Sequence, residues 1–414
     1  MTTRDIAGTF ALGIHRIRSP RETCEFAREA LARLEPPIMA GVEEVERASG
    51  IPQYRVLGTE RFQALTTAKG TNGKGHTRDH ALASGLMEMA ERYSCWRYLL
   101  ERQGVRACSS RDLGDNPYGV GDIYASFVDD SGVRVMSDDE LESAEMSWVQ
   151  ASTLDGGFAW LPAGVVHVFE GTNGMASGNS AQEAALHALC ELVERHCLTL
   201  IEALHLATPR VDPTTIDSPI AMGLIARFEG LGQKVIVKDF SLDTGLPVFG
   251  AVRDLGDGTC EMTAGVASSR EEALARTLTE NSQSERGEGW FRREDIPHLF
   301  ADGGTCSYAE MADLGDRDLG VELGRIRDRL AERGMRPYVM DTTQADLGVP
   351  AATVVIVGAK FHAPRNIDHS IVTALVDDAL RSGRFATAHR YLDLGVERDP
   401  RRLQMYRYYR GVTL

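Results

Sequence analysis

Apolar residues recur at helical spacing along two long segments of the chain, 79–102 and 181–205. In the first segment, Leu82, Leu86 and Met89 lie on one side of the predicted helix, which we expect to be buried. The polar side of each segment carries the sequence Glu-x-x-Glu-Arg. The pattern therefore predicts two long helices that present the same acidic motif.

A second pattern, one helix followed by two strands, also occurs twice. The copies are predicted over 218–231, 234–238 and 247–252, and over 319–333, 337–340 and 350–357. Pro247 and Pro350 lie 103 residues apart, as do Glu88 and Glu191. Two copies are too few for a solenoid, so the repeat predicts an α/β (α+β) fold of related subdomains.

The remaining predicted elements are shorter. Helices are predicted over 20–34, 269–288, 368–381 and 385–397, and extended segments over 57–67, 123–127, 147–151 and 165–169. Residues 380–400 are similar to a single tetratricopeptide-type helical hairpin, and a third helix is predicted to begin at Asp399-Pro400. One such repeat cannot bury its own apolar face, so we expect it to pack on the main domain or on a second subunit.

Both acidic motifs follow a loop that begins Thr-Asn-Gly. Thr71-Asn72-Gly73 precedes Glu88, Glu91 and Arg92, and Thr172-Asn173-Gly174 precedes Glu191, Glu194 and Arg195. Residues three apart share a helix face, so each helix brings two carboxylates together beside an arginine. Ligand sets of oxygen alone suit Mg²⁺, which binds one or two carboxylates together with phosphate oxygens and water.

The loops themselves suggest phosphate binding. A glycine-rich loop that enters a helix points backbone N–H groups and the positive end of the helix dipole at an anion. Lys74, Arg92 and Arg195 add positive charge. We interpret the repeated device as a nucleotide triphosphate site whose magnesium is held by two half-sites. The alternative is a solvated helix face with local ion pairs, but two copies behind the same loop favour the site.

One segment is superficially similar to a P-loop. A Walker P-loop has four residues between its glycines and Ser or Thr after its lysine. Here two residues separate Gly70 from Gly73, and Gly75 follows Lys74. We therefore expect nucleotide binding without a Walker fold.

Other candidate ligands are less specific. Glu183, in the first turn of the second long helix, either complements the helix dipole or is a further metal ligand. Glu280 and Gln283 share a face of helix 269–288, where they either complete a polar cleft or lie in solvent. Arg16 and Thr23 lie just before and at the start of the first helix, where such residues are often on the surface.

Composition narrows the range of partners and compartments. The net charge of −15 argues against nonspecific nucleic-acid binding, which needs a basic surface. No apolar run reaches the ~20 residues of a membrane span, and the chain does not start with a signal-peptide apolar region. The seven cysteines include no Cys-x-x-Cys pair, which is typical of a reducing compartment. We expect a cytoplasmic protein that binds neither nucleic acid nor membrane.

As a set, Thr-Asn-Gly-Lys-Gly with Ser84-x-x-x-Glu88-x-x-Glu91-Arg92, and Thr-Asn-Gly with Glu191-x-x-Glu194-Arg195, resemble the YcaO family. The resemblance covers about residues 13–363. It implies related α/β subdomains around a non-Walker ATP site, at which ATP phosphorylates a peptide backbone amide oxygen so that a nucleophile replaces it. The implied regions are an N-terminal segment (1–60), an ATP-binding catalytic core (61–364) and a C-terminal helical extension (365–414).

The resemblance also implies roles for single residues, with ATP and Mg²⁺ as cofactors. The implied magnesium ligands are Glu88, Glu91, Glu183, Glu191 and Glu194. The implied nucleotide or phosphate contacts are Arg16, Thr23, Ser84, Arg92, Asn179, Arg195 and Gln283, to which the first loop adds Lys74. We assign catalysis to Glu191, Glu194 and Arg195. One departure is that Glu285 stands at the arginine position of the family's Glu-x-x-Gln-x-Arg pattern, and Arg286 follows it.

The incoming nucleophile is harder to predict. Azoline-forming members generally have a proline-rich C-terminus and a leader-binding partner, whereas this chain ends Tyr-Arg-Gly-Val-Thr-Leu. The chain is more similar to stand-alone members linked to thioamide formation, often with a TfuA-type partner or a sulfur donor. We predict thioamidation of a peptide or protein by a homodimer. Azoline formation with a separate partner and an accessory role in ribosomal-protein methylthiolation are the alternatives.

Overall fold

The computed structural model describes residues 9–11, 14–101, 105–114, 119–124, 127–128, 136–164, 172–283, 290–362, 371–398 and 400. The helices are α1 (Pro20–Ala32), α2 (Glu60–Thr66), α3 (Arg78–Glu101), α4 (Val120–Tyr124), α5 (Asp138–Ser143), α6 (Ala181–Leu204), α7 (Pro219–Glu229), α8 (Arg270–Glu280), α9 (Pro297–Phe300), α10 (Leu319–Ala331), α11 (Ile371–Arg381) and α12 (Phe385–Arg398). None of these described helices is both long and apolar enough to cross a bilayer.

The strands are β1 (Thr9–Ala11), β2 (Ile14–Arg16), β3 (Met39–Val45), β4 (Gln53–Gly58), β5 (Gly70–Lys74), β6 (Arg106–Cys108), β7 (Phe127–Val128), β8 (Met146–Thr153), β9 (Phe158–Pro162), β10 (Met175–Ser177), β11 (Arg210–Val211), β12 (Lys234–Asp239), β13 (Val248–Asp254), β14 (Thr259–Val266), β15 (Trp290–Arg292), β16 (Thr305–Cys306), β17 (Arg336–Asp341), β18 (Ala351–Val357) and β19 (Phe361–His362). Helices and strands alternate, so the fold is mixed α/β as predicted.

Within the described residues, two sheets have six strands each. One has the order β10-β18-β17-β8-β6, with β9 also paired to β8, and the other has the order β15-β14-β13-β12-β11-β16. A third, antiparallel sheet contains β3, β4 and β5. Two small sheets pair β1 with β2 and β7 with β19. The first loop and the second loop therefore belong to different sheets.

The predicted repeat of a helix and two strands is confirmed. α7 precedes the antiparallel pair β12 and β13, and α10 precedes the antiparallel pair β17 and β18. β13 and β18 begin and end 103 residues apart, as the spacing of the two prolines predicts. The two pairs lie in the two different six-stranded sheets, which fits related subdomains.

Two shorter predictions were wrong. Residues 60–66 form α2 instead of an extended segment, because Thr59 accepts from the backbone N–H of Phe62 at 3.5 Å and starts a helix. Residues 120–124 form α4, since Gly119 accepts from the N–H of Asp122 at 3.1 Å, and the strand β7 starts only at Phe127. The predicted strand 147–151 is confirmed within β8. Segments predicted over 165–169, 284–288, 368–370 and after 400 lie outside the described residues.

The predicted C-terminal hairpin is formed by α11 and α12, and it packs on β8 of the same chain. Asp378, which is buried, accepts from Ser147 N at 2.8 Å and from Arg384 Nη2 at 2.6 Å. Tyr391 donates its hydroxyl to the carbonyl of Glu145 at 2.9 Å. The hairpin also shares one apolar core with the β17–β18 sheet. The boundary at residue 365 stays a prediction.

Candidate functional site

Strand β10 lies between the two helices that carry the acidic motifs. α3 packs on β5 and also contacts β10, and α6 packs on β10 and β18. Ser177 of β10 donates its hydroxyl to the carbonyl of Met87 in α3 at 2.7 Å. The two motifs therefore meet on either side of one short strand.

In the first motif, the loop is strand β5, which lies directly against α3. A Cβ on Gly73 would lie 2.0 Å from a backbone carbonyl oxygen of α3, so only glycine permits this approach. Asn72 N donates to Glu88 Oε2 at 3.3 Å. Arg92 donates from Nη2 to Glu88 Oε1 at 2.8 Å, and its Nε lies 3.7 Å from Glu91 Oε1. One arginine thus contacts both carboxylates.

In the second motif, the loop turns at Gly174, whose φ of +75° suits glycine. Gly174 N donates to Glu191 Oε2 at 3.0 Å, just as Asn72 N donates to Glu88. Arg195 Nη2 lies 3.4 Å from Glu194 Oε1. Within the described part of the chain, Glu191 has no ion pair of its own. The second motif therefore leaves one carboxylate less compensated than the first.

The carboxylates of the two helices interact across β10. Burial raises the pKa of Glu91 well above its usual value, and the charges of Glu88 and Glu191 add to this rise against the effect of Arg92. Burial likewise raises the pKa of Glu191 to about 7, with Glu194 adding to the rise and Arg195 opposing it. Like charges at this range repel, so a cation between them would lower the free energy of the ionised forms.

Lys74 of the first loop links both motifs to α8. Its ammonium forms an ion pair with Glu280 and donates to Gln283 Oε1 at 3.2 Å. Burial lowers the pKa of Lys74 to about 8, while the carboxylates of Glu88 and Glu194 oppose that shift. Lys74 thus joins Glu280 and Gln283 to the carboxylates of the two motifs, and the polar cleft that they are predicted to complete stays a prediction.

The three helices around this cleft share one register. Thr77, Ser180 and Ser269 each accept from the backbone N–H three residues later, as N-caps do. The residues eleven after the caps are Glu88, Glu191 and Glu280, and those fourteen after are Glu91, Glu194 and Gln283. α8 therefore repeats the cap and the first glutamate of the pattern, but it ends at Glu280, so Gln283 lies in the turn after the helix and the predicted helix over 269–288 was wrong for residues 281–283. Aligning the three capping residues in the sequence would have revealed it.

The N-terminal segment is tied to α6 and α8. Arg16 donates from Nη2 to Glu272 Oε1 at 3.1 Å and also contacts His187. Burial and the charges of Arg16 and Arg276 hold the pKa of His187 well below its usual value, so a neutral imidazole faces the guanidinium. Sequence reasoning found Arg16 but missed His187, Glu272 and Arg276. His187 takes the place in α6 that Ser84 has in α3, seven residues after the cap.

Glu183 is buried, with its carboxylate occupied by N–H donors. Ile17 N donates to Oε1 at 2.6 Å, and Asn179 donates to Oε2 from its backbone N at 2.8 Å and from Nδ2 at 2.9 Å. A metal ion at Glu183 would compete with these three donors. The assignment of Glu183 as a magnesium ligand stays a prediction.

The other predicted nucleotide contacts differ in their surroundings. Thr23 is buried in α1 and donates to the carbonyl of Ser19 at 3.0 Å, and α1 packs on α3. Ser84 is partly buried in α3. Two buried polar atoms, Oδ1 of Asn179 and Nε of Arg195, have no hydrogen-bond partner among the described residues. Glu285 and Arg286 lie outside the described residues.

These residues fit a magnesium nucleotide. Two carboxylate pairs offer hard oxygen ligands, Arg92, Arg195 and Lys74 offer cations, and the unpartnered Asn179 and Arg195 atoms offer polar contacts. No group of three His, Cys, Asp or Glu side chains in the described residues is arranged to hold a metal ion by itself. Mg²⁺ does not require three, because it takes one or two carboxylates plus phosphate oxygens and water.

Glycine loops that open onto acidic helices, without a Walker loop, define a class of nucleotide- and metal-binding α/β protein. The chain belongs to the YcaO family: the family model described as "YcaO cyclodehydratase, ATP-ad Mg2+-binding" matches residues 72–360. ATP and Mg²⁺ are thus the cofactors of its family, as predicted. An uncharacterized protein of Methanothermobacter thermautotrophicus is 29% identical over 376 residues, which is 82% of this chain and 93% of that protein.

Two further relatives carry more informative descriptions. An uncharacterized protein "in tfuA 3'region" of Rhizobium leguminosarum bv. trifolii is 30% identical over 142 residues, 31% of this chain and 34% of that protein. The ribosomal protein S12 methylthiotransferase accessory factor YcaO of Escherichia coli is 26% identical over 234 residues, 51% of this chain and 40% of that protein.

Solved structures show the same fold. A structure described as a heterocyclase in complex with substrate and cofactor has a TM-score of 0.69 at 19% identity, over 92% of this chain and 57% of that one. YcaO from Methanopyrus kandleri, bound with AMPPCP and Mg²⁺, has a TM-score of 0.62 at 21% identity, over 86% of this chain and 94% of that one. At these identities the likeness extends to the fold.

Proposed function

We propose that this protein uses ATP and Mg²⁺ to phosphorylate the oxygen of a peptide backbone amide, which sulfide then displaces to give a thioamide. The observation that carries the proposal is the shared electrostatic field of the two acidic helices. Glu91 and Glu191, which lie on different helices, both have raised pKa values, and the charge of Glu191 contributes to the rise at Glu91. Lys74 interacts with a carboxylate of each helix. One cleft therefore collects acidic and basic groups from three helices.

Within this proposal the two motifs hold the cofactors. Glu88, Glu91, Glu191 and Glu194 are the proposed magnesium ligands, with Glu183 as a further candidate. Arg92, Arg195 and Lys74 are the proposed phosphate contacts, and Arg16, Thr23, Ser84, Asn179 and Gln283 the remaining nucleotide contacts. Bound magnesium supplies charge neutralisation at the phosphates. The arginines then stabilise charge that develops on the transferred group.

The proposed reaction balances. The amide oxygen takes the γ-phosphoryl group and ADP leaves; hydrosulfide adds to the activated carbon, and the C–O bond breaks to release phosphate. The proton of hydrosulfide ends on phosphate. Phosphorylation turns the amide oxygen into a leaving group, and a bound peptide and nucleotide react as if at high concentration. We assign Glu191, Glu194 and Arg195 to the reacting end of the nucleotide.

The preference for sulfide has one supporting observation. A relative is described by its place in the tfuA 3' region, and TfuA-type proteins accompany thioamide-forming members of the family. A TfuA-type or sulfur-donor partner, a peptide or protein substrate and a homodimer belong to the same proposal.

The test compares peptides from cells that contain the protein with peptides from cells that lack it. Mass spectrometry distinguishes exchange of oxygen for sulfur, which we expect, from loss of water. Glu191→Gln should abolish the exchange, whereas Glu202→Gln, the same change in the last turn of α6, should leave it intact. Loss of water in place of exchange would assign azoline formation, the enzymatic alternative that the heterocyclase-like fold favours.

A second candidate function is an ATP-binding accessory role in ribosomal-protein methylthiolation. The similarity to the Escherichia coli accessory factor supports it, over about half of this chain. An assay with the purified protein distinguishes the two functions. Nucleotide hydrolysis that depends on a peptide supports the enzyme, and nucleotide binding without peptide-dependent hydrolysis supports the accessory role.

A further inference from the structure

A group of basic side chains lies beyond the C-terminal end of α6, away from the acidic motifs. Lys238 of β12 is paired in register with Arg210 of β11. His298 belongs to α9, and His205 follows the last residue of α6. His205 lies eleven positions after Glu194, just past the end of α6, which corresponds to about 16 Å of helix. The group is therefore distinct from the proposed nucleotide cleft.

Lys238 is fully buried, and few groups around it can balance the positive charge of its ammonium. Its relative exposure is 0%, and its Nζ donates to the carbonyl of Leu299 at 2.8 Å. An ammonium group has three N–H donors, so the described residues satisfy one of them. No carboxylate of the described chain pairs with Lys238 or with Arg210. A buried charge without a counter-ion is costly, so a missing acceptor is expected here.

His298 gives a second, independent sign of a missing ligand. It is 8% exposed, and neither ring nitrogen has a hydrogen-bond partner among the described residues. Its ring lies edge-on to that of His205, with 5.2 Å between centroids. Burial, His205 and Lys238 all lower the pKa of His298. Nearby in sequence, Thr208 has a buried hydroxyl that also lacks a partner in the described part of the chain.

We propose that Lys238 and His298 form a binding site for a small oxyanion, with His205 and Arg210 at its edge. An oxyanion accepts several hydrogen bonds and carries the negative charge that this group lacks, whereas a metal ion would be repelled by Lys238 and Arg210. Capping of the short helix α9 explains only the bond from Lys238 to Leu299. It does not explain the two unpartnered nitrogens of His298. Free phosphate and a carboxylate share the required chemistry.

The first test measures binding of phosphate and of acetate by isothermal titration, at constant ionic strength in chloride. The wild type should bind at least one of them, and Lys238→Met should weaken that binding at least about tenfold. Lys234→Met, an exposed lysine on the same strand, is the matched control and should bind as the wild type does. The titrations are repeated with the nucleotide cleft saturated by a non-hydrolysable ATP analogue and Mg²⁺, and binding that persists excludes the nucleotide cleft as the source. Equal binding by Lys238→Met and the wild type would overturn the proposal.

The second test needs no variant and stays decisive if Lys238→Met does not fold. Crystals of the wild type are soaked in selenate, whose selenium scatters anomalously. We expect a peak within hydrogen-bond distance of Lys238 Nζ and a ring nitrogen of His298. A soaked crystal with selenate elsewhere and no peak at this group would contradict the proposal for tetrahedral oxyanions. The acetate titration then decides for carboxylates, and failure of both overturns the site.

Discussion

The two acidic motifs share a helix pattern but differ in the loops that feed them. Glu88 lies sixteen positions after Asn72, whereas Glu191 lies eighteen positions after Asn173. The shorter loop is an internal part of strand β5 and is pressed against α3. The longer loop turns at Gly174 and then forms β10, paired with β18. Both loops nevertheless deliver one backbone N–H to the first glutamate of the motif.

The motifs also differ in how their charges are balanced. Arg92 contacts both Glu88 and Glu91, whereas Lys74 acts on a carboxylate of each motif, Glu88 and Glu194. In the second motif Arg195 pairs with Glu194 alone among the described residues. This difference predicts an unequal division of work at the metal ion: both motifs bind it, and the second contributes more because Glu191 has no ion pair among the described residues.

The largest expected effect is the difference in ATP hydrolysis between Glu191→Gln and Glu88→Gln. Glu191→Gln should lower peptide-dependent ATP hydrolysis by more than about 100-fold, because it removes a carboxylate that forms no ion pair among the described residues and is therefore open to the metal ion. Glu88→Gln should cost about tenfold, because Arg92 already balances that carboxylate. Initial rates over a range of Mg²⁺ concentrations measure both, with Glu202→Gln as control. A larger loss for Glu88→Gln would reverse the proposed division.

The loops should differ in their tolerance of a methyl group. Gly73→Ala should destabilise the protein by about 3 kcal/mol, because the new Cβ would lie 2.0 Å from backbone. Gly174→Ala should cost about 2 kcal/mol, from a 2.7 Å approach and a positive φ. Gly41→Ala, with nothing within 4 Å of its Cβ, should be near neutral. Denaturant unfolding compares the three. A neutral Gly73→Ala would refute the close packing of β5 on α3.

The stability of the metal-free protein should depend on pH through Glu191. The pKa of Glu191 is about 7 in the folded protein against 4.5 for a free carboxyl, so the folded state binds a proton that the unfolded chain has lost. Stability of the metal-free protein should therefore fall as pH rises from about 4.5 to 7, by at most about 3 kcal/mol. Melting temperatures should fall less steeply across this range in Glu191→Gln, where the slope from Glu91, whose pKa is also raised, remains. A rise over the same range would contradict a protonated Glu191.

The two long helices, α3 and α6, also differ at their third residue. α6 has Glu183 at this position and α3 has His80. Glu183→Gln should lower the free energy of unfolding by about 1–3 kcal/mol, since its carboxylate accepts three N–H groups. His80→Gln should cost less, because Nε2 of His80 has no partner in the described residues. If Glu183→Gln instead left stability intact and weakened Mg²⁺ binding, Glu183 would be a metal ligand.

The smallest expected effect concerns Lys74. Lys74→Met should weaken binding of a non-hydrolysable ATP analogue about tenfold, since it removes one cation from the first motif and its contacts with Glu280 and Gln283. Lys69→Met, exposed just before the same loop, should have no effect. Titration calorimetry measures both. Unchanged nucleotide affinity with altered Mg²⁺ affinity would move Lys74 out of the phosphate site.

Many features of the two motifs could be predicted from the sequence, because they depend on residue spacing within single helices. Both long helices, their Glu-x-x-Glu-Arg motifs and the repeat of one helix with two strands follow from local periodicity. The helix α2 was missed because its start signals, Thr59 and the acidic Glu60 after it, are weak, and threonine is also common in strands. Short elements carry too few periodic positions to overrule such ambiguity.

Contacts between distant segments were not accessible in the same way. Nothing local in the sequence indicates that Lys74 meets Glu280, or that Ile17 donates to Glu183 166 residues away. Those contacts depend on how sheets and helices pack. The partial repeat on α8 could be predicted only in part. The spacing from Ser269 to Glu280 matches the other two helices, but Gln283 replaces the second glutamate and no arginine directly follows it.

The most direct test is a structure of the protein with a non-hydrolysable ATP analogue and Mn²⁺ in place of Mg²⁺, because manganese is located by its anomalous scattering. We predict metal between α3 and α6, within about 2.2 Å of carboxylate oxygens from both Glu-x-x-Glu pairs. Manganese bound by one helix alone, or nucleotide bound away from β10, would contradict it.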